Sequence, residues 1–168
     1  MEYGIKRSKM AVFLNTTPSS TATYKKVAKG VTDLQIAYNP QTKSEQYIDE
    51  DTATTYTTSY QPTISNTMTA YKGNEVFEYL NELRVKRPVF GESDTDILIV
   101  DIFDYTGEEG SESYSAEKQN VNIGIESYGG AAEDALQIEY SINFVGNATK
   151  GTVTFDSSTG VPTFTANS

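Results

Sequence analysis

The sequence predicts a mainly β fold, a β-sandwich or barrel with one flanking α-helix, and three observations carry that reading. Apolar and polar residues alternate in several segments, most clearly at Leu136, Ile138, Tyr140, Ile142 and Phe144, which is the period of a half-buried strand. Turn chemistry separates such segments at Asn39-Pro40, Tyr105-Thr106-Gly107, Gly129-Gly130 and Asp156 to Gly160,. One stretch alone has helical spacing. At 168 residues the chain is long enough to bury a core as one domain, 1–168, without metals or disulfides,.

In chain order, the first strand candidates are 9–15 (KMAVFLN) and 33–38, where Leu34, Ile36 and Tyr38 form one row. A long extended loop at about 45–62 follows. Its sequence, QYIDEDTATTYTTSYQP over 46–62, sets Asp49, Glu50 and Asp51 before a Thr/Tyr run with no large aliphatic residue. Thr and Tyr favour extended backbone because β-branched and aromatic side chains suit a pleated, half-buried surface, yet this run has no row to face a core. Residues 63–71 form the next strand candidate. In KGNEVFEYLNELRVKRP, Val76, Phe77, Leu80 and Leu83 recur at helical spacing, so a helix is predicted over about 74–87. Asn74 is its N-cap, acids occupy the first turn, Arg84, Lys86 and Arg87 the last, and Pro88 stops it,.

Beyond the helix, Ile97-Leu98-Ile99-Val100, continued by Ile102 and Phe103, is apolar on both faces and predicts a central strand covered on both sides,. Asp101 shares a side with Ile97, Ile99 and Phe103 in this alternation, so its carboxylate faces inward and needs a partner at a strand end or a subunit contact,. Val121, Ile123 and Ile125, then 136–144 and 150–155, complete the strand candidates.

The composition leaves little for chemistry. There is no Cys and no His, which removes disulfides, thiolate and imidazole metal sites, and Ser-His-Asp or Cys nucleophiles,. Acid pairs such as Asp94/Asp96 and Asp101/Asp104 match the carboxylates of a glycosidase in type only, because that chemistry needs them about 5–10 Å apart around a cleft. Asp94-Thr95-Asp96 also falls short of a calcium loop: Leu98 stands where a third ligand belongs, and no turn glycine follows,. The acids at 49–51 lack the alternation such a loop needs. Twelve Tyr on a β-fold make a carbohydrate-binding or cell-surface module the rival reading, but they are scattered and no Trp accompanies them. Scattered Tyr more often marks sheet edges and protein interfaces. No cofactor or metal is expected, and no catalytic residue.

Charge and hydropathy narrow the partners. The apolar patch near the start, Met10 to Leu14, is too short for a signal peptide, and no segment approaches the length of a membrane span,. The net charge of −10 opposes nucleic-acid binding through phosphate neutralisation,. Residues 1–30 carry +5, residues 31–88 carry −3 and residues 89–168 carry −12. Lys25, Lys26 and Lys29 are the candidate basic assembly surface within the first of these. Such polarity is either a solvation pattern or the mark of a self-complementary, head-to-tail surface.

Three stretches carry a family resemblance: GIKRSKMAVFLN near the start, QYIDEDTATTYTTSYQPTIS, and YKGNEVFEYLNELRVKRP. They resemble the major tail protein, or tail tube protein, of long-tailed non-contractile bacteriophages (siphophages) of Gram-positive hosts, over most of residues 4–90. The resemblance implies a structural, non-enzymatic virion protein that closes into six-membered rings, stacked head to tail into a tube through which DNA passes into the host without specific binding. It implies as partners further copies of the chain and tail-tip, tail-terminator and tape-measure proteins, with no membrane, and assembly in the host cytoplasm into the virion tail. The role it implies for the loop, with Tyr47, Asp49, Glu50, Asp51, Tyr56 and Tyr60, is to reach a neighbouring subunit or ring. Some relatives carry a C-terminal Ig-like domain, for which the residues after Phe144 leave no room. Tubes of contractile tails or secretion systems are the neighbouring alternative.

Overall fold

The computed structural model describes residues 2–168. Ten strands and one α-helix are built on them: β1 (Met10–Asn15), β2 (Tyr24–Lys26), β3 (Ile36–Ala37), β4 (Pro40–Glu45), β5 (Thr54–Tyr60), β6 (Thr63–Thr69), α1 (Glu75–Lys86), β7 (Asp94–Thr106), β8 (Ser113–Gly129), β9 (Gln137–Phe155) and β10 (Pro162–Ala166). The main sheet is antiparallel, in the order β2-β1-β7-β8-β9-β6-β3, with β10 added to β9. The mainly β expectation with one helix holds. β4 and β5 stand apart as a separate two-stranded sheet.

The apolar run of β7 divides as its alternation requires. Ile97 and Ile99 face one core, together with Val12 and Leu14 of β1, Ile138, Tyr140 and Ile142 of β9, and the inner side of α1. Leu98 and Val100 face a second core on the other side of the sheet, with Ala11 and Phe13 of β1, Ala116 and Val153. All four residues from Ile97 to Val100 are buried, as predicted for a doubly covered strand. Each such aliphatic side chain contributes about 1.5–3 kcal/mol when removed from water.

The second core has a cover because the sheet bends. Lys118 pairs with Thr149 while Asn120 pairs with Val145, so β9 spends extra residues where β8 spends one. Buried Gln119 holds this bulge: its Nε2 donates to the carbonyls of Asn120 (2.9 Å), Val145 (2.8 Å) and Gly146 (3.3 Å). Bulges raise local twist and bend a strand. Past the bend, Phe155 and Phe164 pack onto the second core, with the Phe155 ring 5.7 Å from Phe13 and 5.5 Å from Tyr114. Gly151 permits the close pairing with β10, since a Cβ there would sit 2.2 Å from the Thr165 carbonyl oxygen.

Helix α1 starts and stops where its sequence indicates. Asn74 Oδ1 accepts from the amides of Val76 (3.0 Å) and Phe77 (3.2 Å), filling two orphan donors of the first turn,. At the other end Arg87 takes the left-handed conformation and its N–H returns to Leu83 O. Val76, Phe77, Tyr79, Leu80 and Leu83 are buried against the first core.

Some expectations change. The strand over 33–38 shrinks to Ile36–Ala37, with Leu34 buried and Tyr38 exposed. The chain there leaves β2 and runs past the far edge of the sheet, where Thr69 N donates to Gly30 O, so little of it is free to pair. The segments 136–144 and 150–155 prove to be halves of β9, continuous through the bend. β4 has no core-facing row and is not foreseen by periodicity.

Candidate functional site

The segment that lacks a core-facing row is found where that lack is tolerable. Residues 54–60 of the extended loop form β5, paired with β4 from Glu45↔Thr54 to Pro40↔Tyr60, so the expected loop is one arm of a hairpin. Every residue of β5 is exposed, and all of β4 except half-buried Glu45. Strand rise near 3.3 Å per residue makes the arm roughly 20 Å long.

The base is anchored and the tip is open. Asn39, at φ 45°, turns the chain out of β3, and its Nδ2 donates to Gln61 O (3.1 Å) and Ala37 O (3.3 Å). Along the arm, Ser44 Oγ and Thr55 Oγ1 lie 2.6 Å apart and Lys43 pairs with Glu45 at 2.5 Å. The Glu45 carboxyl is held below its ordinary value, first by Lys43 and then by Tyr56. At the tip, Gln46 Nε2 donates to Glu50 O (2.9 Å) and Glu50 N to Tyr47 O (3.0 Å). Asp49 and Asp51 flank that turn in solvent, beside Ile48, which is exposed over its whole surface (109%). Tyr47, Tyr56 and Tyr60 are also exposed.

This arrangement is physically incomplete. A lone two-stranded hairpin is marginal in water, and both outer edges of this one present unpaired backbone groups, a template for another strand. Tyr47 and Ile48 are exposed at its tip, Tyr56 midway along it and Tyr60 at its base. Such a hairpin gains most of its order when a further surface covers it.

The basic candidates divide. Lys25 Nζ lies 2.7 Å from Glu75 Oε2, and Lys29 Nζ stands 5.0 Å over the Tyr71 ring. Those two are engaged within the chain. Lys26, exposed where Lys25 is half-buried, ends β2.

The carboxylate pairs sit in different surroundings. Asp94 and Asp96 share a shallow open cavity of about 300 Å³ with Pro18 and Asn120. Asp96 is held by the Tyr24 hydroxyl and by Asn15 Nδ2 (2.9 Å), and Asp94 accepts from Asn122 Nδ2 (2.8 Å). Both carboxylates are thus pinned as structural acceptors. Half-buried Asp101 has its carboxyl pushed up by burial and then by Asp104, with no cation contributing. Among the described residues no cluster of three or more acids is arranged to hold a metal ion, and no helix is long and apolar enough to cross a membrane.

Solved structures share this architecture. A chain of the SPP1 tail tube superposes with a TM-score of 0.65 at 12% identity, covering 88% of this chain and 78% of that one. The fold is that of tail tube proteins. A chain from the virion of a native gene transfer agent particle matches with a TM-score of 0.60 at 11% identity, over 88% of this chain and 98% of that one. A sheath/tube terminator chain of an extracellular contractile injection system matches at 0.51 and 16% identity, over 89% and 97%. The likeness therefore extends beyond siphophages of Gram-positive hosts. No protein-family model matches the sequence, and no curated protein sequence does either.

Sequence reasoning reached β5 through its Thr/Tyr chemistry but missed β4. PQTKSE has neither alternation nor strand-forming side chains; the remaining signal was that β5, having strand chemistry, needs a partner close in sequence.

Proposed function

We propose that this chain is a structural, non-enzymatic subunit of a tail tube: copies close into hexameric rings, the rings stack head to tail, and DNA passes along the lumen during ejection. The observation that carries the reading is the β4–β5 hairpin, an exposed arm with free edges on a fold shared with tail tube proteins. Docked on a neighbouring subunit or ring, it covers Tyr47, Ile48, Tyr56 and Tyr60 and pairs its edges. The domain is single, and the tube belongs to the virion tail, assembled in the host cytoplasm. Tail-tip, tail-terminator and tape-measure proteins are the partners at its ends and in its lumen. A net charge of −10 suits a conduit that must release DNA,.

Replacing residues 40–60 by a short Gly/Ser turn tests the reading. The main sheet and α1 stay folded, with a thermal midpoint within a few degrees of wild type, because nothing in the arm belongs to either core,. In negative-stain microscopy the wild type forms tubes and the variant forms none. Global unfolding of the variant, or tubes that grow without the arm, sinks the role given to it.

A tube of a contractile system is the second reading, favoured by the likeness to the injection-system chain. Cryo-electron microscopy of native particles separates the two by the presence or absence of a sheath around the tube.

A further inference from the structure

A turn between α1 and β7 holds a residue that the isolated chain does not explain. Phe90 has φ 51°, in the left-handed region where a bulky side chain is strained, and it is exposed over its whole surface (103%),. Gly91 follows at φ 86°, where glycine is at ease, so the strain falls on the phenylalanine,. Nothing among the described residues covers the ring that this backbone presents. Val89 is exposed beside it, and Glu92 and Asp94 follow.

A complementary feature lies at the other end of β1. A cavity of about 340 Å³ has an apolar floor of Met10, Val12, Val27, Val31 and Leu34. Arg7 lines it, donating to Met10 O (2.7 Å) and Leu34 O (3.0 Å), and Lys26 and Asp33 line it as well. The Phe90 turn belongs to the opposite end: Thr95 Oγ1 donates to Asn15 O, and Glu92 lines a cleft with Pro18 and Ser19. The steps between the six residues of β1, about 3.3 Å each, set the two ends about 17 Å apart,.

We infer that Phe90 is a knob that enters the Met10–Leu34 cavity of a second copy of this chain. The acidic flank of the knob, Glu92 with Asp94 behind it, then faces a rim where Arg7 and Lys26 outnumber Asp33, and that net positive charge orients the contact,. A knob and a socket at opposite ends cannot meet in one molecule; they generate a heterologous contact that repeats from copy to copy. The inference rests on the tail-tube reading and supplies it with a stacking contact distinct from the hairpin.

Two variants test it. Phe90→Gly suits the left-handed backbone, so the thermal midpoint of the monomer holds or rises. The critical concentration for tube growth rises on the order of ten- to a hundredfold, the range set by burying one phenyl ring per contact. Unchanged growth, or a lowered midpoint that alone accounts for poor growth, overturns the knob. In this cysteine-free chain, Phe90→Cys combined with Val31→Cys sets thiols at the two ends, and oxidation of assembled protein links it into ladders of many chains. Phe90→Cys alone stops at dimers. A double variant that also stops at dimers overturns the pairing. Wild-type protein that never forms tubes defeats the tail-tube reading and this contact together, whereas wild-type tubes indifferent to Phe90→Gly defeat this contact alone.

Discussion

β5 and β7 are both antiparallel strands built from residues that favour extended backbone, and they end in opposite surroundings. In β7, Ile97 to Val100 are all buried, alternating between two cores. In β5, TTYTTSY is exposed throughout and, among the described residues, pairs with β4 alone. Backbone preference is therefore the same in both, and side-chain hydration separates them. The aliphatic strand is held by what it removes from water. The Thr/Tyr strand is held by its ladder bonds and the clamp at Asn39, and its outer edge and aromatic faces stay exposed.

That contrast can be broken at its strong end first. Leu98→Ala opens a cavity in the second core and costs about 2–5 kcal/mol, read from denaturant unfolding, whereas Tyr56→Ala in β5 changes stability by less than about 0.5 kcal/mol. A Tyr56→Ala variant that destabilised the monomer as much as Leu98→Ala would end the distinction between core strand and assembly strand.

Gln119 sharpens the comparison, because it makes the bend that gives β7 its second cover. Gln119→Ala strips the shared donor from three carbonyls of the bulge, which water can partly replace, and costs about 0.5–1.5 kcal/mol,. The loss appears in faster amide exchange of β10 and of β9 past the bend, before that of β1 and β6. Uniform loss across the sheet would mean that the bend is held by packing alone.

A smaller effect on stability, with a visible one on assembly, is expected at Lys26. Reversing Lys25, Lys26 and Lys29 together would confound two things, since Lys25 also bonds Glu75 and Lys29 sits over Tyr71. Lys26→Glu alone leaves stability unchanged within about 0.5 kcal/mol and weakens tube growth at low salt. Growth returns near 1 M salt, where the Debye length is about 3 Å. Indifference at low salt would remove charge from the head-to-tail argument.

The smallest effect belongs to Asp101. Its carboxyl titrates above the ordinary aspartate value because burial and then Asp104 disfavour the charged form. The folded state therefore holds its proton longer than the unfolded one, and stability falls as pH rises from the ordinary value through the raised one. Asp101→Asn removes that slope: the variant matches wild type in acid and is slightly more stable at pH 7. A variant less stable than wild type at neutral pH would show that the carboxylate has a favourable partner in the monomer.

The sequence by itself determined the elements whose signals are local. Helix α1 was legible to within a residue because its cap, its apolar face and its stop at Pro88 all act within a few turns. The doubly covered β7 was legible because a run apolar on both faces has few alternatives in a β-fold. Tertiary structure decided the rest. β4 is a strand because β5 lies across from it, and β9 is continuous because Gln119 bends it. Leu34 is buried while Tyr38, from the same alternating row, is exposed, because the chain departs toward the hairpin at Asn39. The Phe90 turn and its cavity were illegible, since a strained φ and a concave surface arise from elements far apart in sequence. Local propensity sets what a segment favours; burial, which depends on distant neighbours, decides whether that preference is used inside the fold or left at its surface.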